Sequence, residues 1–151
     1  MKIPTMYLDW VECFDIVKKG TDDKEVLNCM KSGTLTLAAG VGGRVAKQMN
    51  EVIQLRLKKA SDKFSRAMDF NNGDLNMLAN SLILLRKEFK FLIEFVNIPI
   101  LPEEDIKAFV DIIKKQADLM QESLEKTSRT DRTGMLASVI KKNRINNLED
   151  K

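Results

Sequence analysis

Few residue types in this chain have the chemistry for catalysis. Of 151 residues none is histidine, which removes the imidazole general base and every histidine-containing metal site. The two cysteines, Cys13 and Cys29, lack the spacing of a metal clip and have no base placed to activate them, so each reads as a small buried hydrophobe. Glu88, Glu94, Asp111 and Asp118 lie off the apolar stripes of their segments, and a carboxylate metal centre in a helical bundle wants Glu-x-x-His pairs that this chain cannot supply. Gly40-Val41-Gly42-Gly43-Arg44 has the freedom of a phosphate loop. It lacks the lysine-hydroxyl pair and the preceding strand that such a loop uses, and reads as a helix break. These patterns predict no catalytic residue, no metal and no cofactor.

The basic residues are more informative. Between Arg44 and Arg66 seven cations (Arg44, Lys47, Arg56, Lys58, Lys59, Lys63 and Arg66) stand against two acids, Glu51 and Asp62, a local net charge of +5. At about 100° per residue, Arg56, Lys59, Lys63 and Arg66 fall within roughly an 80° arc beside the apolar stripe. Such a ridge is suited to a phosphate backbone, where each neutralised phosphate releases counterions. A second cluster, six cations against Asp131, runs from Lys126 to Arg144. Arg86, Lys87 and Lys90 add cations on a neighbouring segment.

The elements that must carry these residues read as helices. Tyr7, Trp10, Phe14 and Val17 step at 3-4-3 over Thr5 to Lys19, with Thr5 as cap and Gly20 as a left-handed stop. Thr21-Asp22-Asp23 restarts a helix whose oxygens suit orphan N–H groups, and it weakens at Ser32-Gly33-Thr34. From Arg44 to Phe70 the stripe is Met49, Ile53, Leu57, Ala60, Phe64 and Met68. Asp74 caps the next segment, where Leu75, Leu78, Leu82, Leu85, Phe89, Leu92 and Val96 form an unbroken heptad. Pro102 opens the last long segment, with Ile106, Val110, Ile113, Ala117, Met120 and Leu124 as its stripe. The expectation is an all-α, up-down four-helix bundle over residues 1–126, with residues 127–151 a basic linker or frayed tail. No apolar run approaches the ~20 residues that span a bilayer, and the start lacks the basic-then-apolar layout of a signal peptide. A cytoplasmic protein without a membrane partner is expected.

The run from Leu55-x-Leu57 through Ala67, Asp74-Leu75-x-Met77-Leu78-Ala79, Leu84-Leu85-Arg86-Lys87-Glu88-Phe89-Lys90-Phe91-Leu92, Leu101-Pro102-Glu103 and Met120-x-x-Ser123-Leu124 together resemble a known family. It is that of the four-helix accessory variability determinant proteins of diversity-generating retroelements, relatives of the ribosomal intervening-sequence four-helix proteins. The resemblance implies a homo-oligomeric barrel of small bundles, a basic surface for RNA, and docking on a reverse transcriptase.

Two functional expectations follow. The first is a non-catalytic adaptor that uses Arg56, Lys59, Lys63 and Arg66, helped by Arg86, Lys87 and Lys90, on the phosphates of a nucleic acid, RNA before DNA. The second is a protein–protein module, such as an immunity protein, chaperone or mobile-element regulator, whose eight methionines suit an adaptable contact surface.

Overall fold

The computed structural model describes residues 1–36, 41–70, 74–129 and 133–148. Among them the chain forms six helices and no strand: α1 Tyr7–Lys19, α2 Asp23–Lys31, α3 Val41–Phe70, α4 Leu75–Val96, α5 Glu103–Ser128 and α6 Met135–Lys142. The all-α expectation holds, with six helices where four were counted. No helix among the described residues is long and apolar enough to cross a membrane. Two compact units form, one from residues 1–56 and 91–111, the other from residues 57–90 and 112–151, so α3, α4 and α5 each contribute to both.

In the first unit α1 starts at Tyr7, with Met6 as N-cap. The capping role expected of Thr5 falls to Asp9, whose carboxylate accepts the N–H groups of Thr5 (3.1 Å) and Met6 (3.0 Å). Gly20 closes the helix as predicted, at φ 74°, with its N–H on the Ile16 carbonyl at 3.0 Å. A carboxylate at the positive end of a helix and a glycine past its negative end are what the orphan backbone groups favour. Beyond α2, Thr34 N–H donates to the Pro4 carbonyl (3.0 Å) and Thr36 N–H to Thr5 (3.3 Å), while the Trp10 indole donates to the Thr34 carbonyl at 2.7 Å. A Cβ on Gly33 would lie 2.6 Å from the Trp10 ring, so only glycine lets this segment lie flat on the tryptophan. Trp10, Phe14 and Val17 are fully buried in this unit, as are Val26, Met30, Met49, Ile53, Phe95 and Ile98. Phe14 meets Phe95 edge-on at 6.0 Å.

In the second unit the α4 heptad points inward as expected: Leu78, Leu82, Leu85 and Phe89 are buried, as are Ile113, Ala117, Met120 and Leu124 of α5. Asp74 caps α4 through a 3.1 Å bond to the Met77 N–H. In the stretch read from sequence as a tail, α6 forms, and Ile140 and Ile145 are buried. Of the glycine-rich break expected at 40–43, Val41, Gly42 and Gly43 belong to α3 instead; Gly40 lies outside the described residues.

Truncating Leu85, 3% exposed, to alanine is expected to cost about 2–5 kcal/mol of stability in denaturant unfolding. An unchanged midpoint would mean that the heptad does not face a core.

Candidate nucleic-acid interface

One stripe of α3 positions most of the candidate residues. Val45, Met49, Val52, Arg56, Lys59, Lys63 and Arg66 repeat at 4-3-4-3-4-3, the spacing that keeps side chains on one side of a helix. Its first three members are buried apolar residues; its last three are exposed cations. Arg56 stands at the change.

Expected on the exposed ridge, Arg56 is instead 4% exposed. Its guanidinium makes a fork with Asp23, Nη1 to Oδ1 at 3.0 Å and Nη2 to Oδ2 at 2.9 Å, and Nη1 also donates to the Val17 carbonyl at 2.8 Å. The guanidinium lies 4.8 Å from the centre of the Phe91 ring. Paired, hydrogen-bonded and stacked, the charge tolerates burial. Asp23 is thereby drawn away from the backbone-capping role its position suggested, and Asp22, the N-cap of α2, makes no side-chain capping bond.

The other six candidates all belong to the second unit. Lys59, Lys63 and Arg66 are exposed within about 60° of one another around α3, directed outward because Leu57, Ala60 and Ala67 are buried on another side. On α4, Lys87 is exposed while Arg86 and Lys90 are half-buried. Arg86 Nε is enclosed, with no hydrogen-bond partner among the described residues. The second unit carries 16 Lys and Arg against 10 Asp and Glu, a net charge of +6, and the first carries 9 against 12, a net of −3. A whole-chain charge of only +3 therefore conceals a cationic half and an anionic half. Sequence reading located the clusters but missed this partition, because the units are discontinuous in the chain.

The remaining reactive groups are in the first unit. Cys13 is buried, and burial, with Cys29 as a lesser cause, pushes its thiol up to about 11. Cys29 is half-buried, its thiol 3.6 Å from the Met1 carbonyl. Among the described residues no three His, Cys, Asp or Glu side chains gather as a metal cluster would. No protein-family model, curated protein or solved structure matches this chain.

Two measurements check these placements. Asp23→Ala leaves the Arg56 charge buried and unpaired and is expected to cost about 3 kcal/mol, at the low end of the range for broken buried pairs because Asp23 keeps some solvent contact. Lys59→Ala should cost far less, and equal losses in denaturant unfolding would contradict the burial of Arg56. In native protein at about pH 8, iodoacetamide is expected to modify Cys29 well before Cys13, since thiolate is the reacting form; mass spectrometry showing the reverse order would refute it.

Proposed function

We propose that the protein is a non-catalytic adaptor that binds a nucleic acid, RNA in preference to DNA, through the phosphate backbone. The observation that carries this is the concentration of charge: a unit of net charge +6 presents Lys59, Lys63 and Arg66 outward along one side of α3, with Lys87 on α4. Exposed cations at helical spacing neutralise phosphates without reading bases, which gives affinity that is steep in salt and tolerant of sequence. Arg56 is not among these contacts; its role is to hold the first unit together. The up-down bundle that the periodicities predict for α3, α4 and α5 is part of the same proposal. So are self-association and a reverse-transcriptase partner, which rest on the family resemblance.

A protein–protein module is the second reading, favoured by exposed apolar residues at heptad spacing. Met77 and Leu84 on α4 are 55% and 64% exposed, and Ile112 and Leu119 on α5 are 39% and 50% exposed. Side chains seven residues apart on a helix share a face, and such rows suit a partner helix.

The triple change of Lys59, Lys63 and Arg66 to glutamine tests the proposal. Binding to single-stranded RNA is expected to weaken without loss of helicity, and the slope of log affinity against log salt to flatten by about 2, at ~0.7 per phosphate. Unchanged affinity and slope would assign these residues to a solvated face and favour the protein module.

A further inference from the structure

The stretch beyond α5, which reads in the sequence as a linker or tail, brings a second group of cations to a fixed place in the cationic unit. Following α6, three successive residues dock along α5. Arg144 pairs with Glu125 at 3.5 Å, the Ile145 N–H donates to Gln121 Oε1 at 3.0 Å, and Asn146 Nδ2 donates to Asp118 Oδ1 at 3.0 Å. Ile140 and Ile145 are buried, and Gln121 is 2% exposed. A buried amide bonded to a backbone N–H is expensive to break, since either partner left alone loses its hydrogen bond away from water. The chain after α6 is therefore held along the last turns of α5. Lys126 and Arg129 on one strand of this contact, and Lys141 and Lys142 on the other, each lie within about one helical turn of the Arg144–Glu125 pair along the chain.

The fold itself makes no use of these four cations. All are exposed, and among the described residues none of their side chains makes an ion pair or a hydrogen bond. The nearest acid is already engaged, because Glu125 Oε1 takes Gln121 Nε2 at 3.3 Å as well as Arg144. Cations at the end of a helix often bond its last carbonyls. Here hydroxyls and an amide do so: Thr127 Oγ1 donates to the Ser123 carbonyl at 3.0 Å, Ser128 Oγ to that of Glu125 at 2.7 Å, and Asn143 Nδ2 to that of Val139 at 2.9 Å. With Glu125 and Arg144 cancelling, Lys126, Arg129, Lys141 and Lys142 stand against the exposed Glu122, a local net charge of +3. Like charges gathered in this way repel one another in the folded chain, and an anionic ligand relieves that repulsion.

We infer that Lys126 and Arg129 at the end of α5, with Lys141 and Lys142 at the end of α6, form a second phosphate-binding surface that engages the backbone of the same nucleic acid as the α3 ridge. The inference rests on the phosphate-binding proposal, which supplies the ligand; the docked tail adds contacts to it and no base preference. Four exposed cations drawn from two helices neutralise several phosphates of a polyanion, each with its own release of counterions. Contacts of this kind position a strand without reading it.

The test is a salt titration of the full chain with single-stranded RNA, with circular dichroism to check that each variant keeps its helicity. Changing Lys126, Arg129, Lys141 and Lys142 together to glutamine is expected to weaken binding and to flatten the slope of log affinity against log salt by about 3, at ~0.7 per phosphate. Combined with the Lys59, Lys63 and Arg66 glutamine changes, the flattening should reach about 5. A control that changes Lys126, Lys141 and Lys142 to arginine keeps the charge and should keep both affinity and slope. An unchanged slope in the four-residue variant, beside a weakened ridge variant, overturns the second surface and leaves the ridge standing; so does an arginine control as weak as the glutamine variant. A weakened four-residue variant beside an inert ridge variant supports the second surface and overturns the ridge alone. No binding by the unaltered protein at low salt overturns both.

Discussion

The guanidinium of Arg56, carried on α3, makes polar or ring contacts with three other helices at one buried point. It takes a carbonyl from the last turn of α1, a carboxylate from the first turn of α2 and the face of an α4 phenylalanine. The turn between α1 and α2 wraps closely around it: a Cβ on Gly20 would lie 3.5 Å from Arg56 Nη1, and the glycine holds φ 74°. The guanidinium is a planar fork that stays charged at any pH a protein meets, and a lysine could satisfy only part of this set. With the α1 carbonyl, the Asp23 charge and the guanidinium itself each satisfied by the others, removing any one leaves the rest exposed to the cost of burial without a partner. Trp10 against Gly33 then fastens the far side of the same helix pair.

Arg56 also divides α3 into two kinds of surface. The stripe that begins with Val45, Met49 and Val52 is covered by the first unit, and the same stripe emerges as Lys59, Lys63 and Arg66 in the second. A continuous helix thus turns one face from packing to exposure over a single turn. The division of charge follows the same boundary, with the carboxylates of α1, α2 and the start of α5 in the anionic unit and most lysines and arginines in the other.

How far the sequence revealed this depended on the range of the interactions. The α4 heptad was legible because it is local: seven apolar residues without a glycine or proline leave a helix one way to face a core. The capping by Asp74 and the stop at Gly20 were legible for the same reason. Arg56 was misplaced because helical spacing puts it in line with Lys59 and Lys63, and the partners that draw it inward, Asp23, Val17 and Phe91, are all at least 33 residues away in the chain. The docking of Ile145 has no local pattern, since its anchor is a glutamine side chain 24 positions away.

The central claim is that nucleic acid engages the cationic unit and that the Arg56 cluster serves only the fold. Backbone amide chemical shifts, recorded with and without a short single-stranded RNA, address it most directly. The account predicts perturbations concentrated at residues 59–66 and around Lys87, with Trp10, Val17, Gly20, Asp23 and Arg56 unmoved. Perturbations centred on the α1–α2 turn, or none anywhere at low salt, would contradict it.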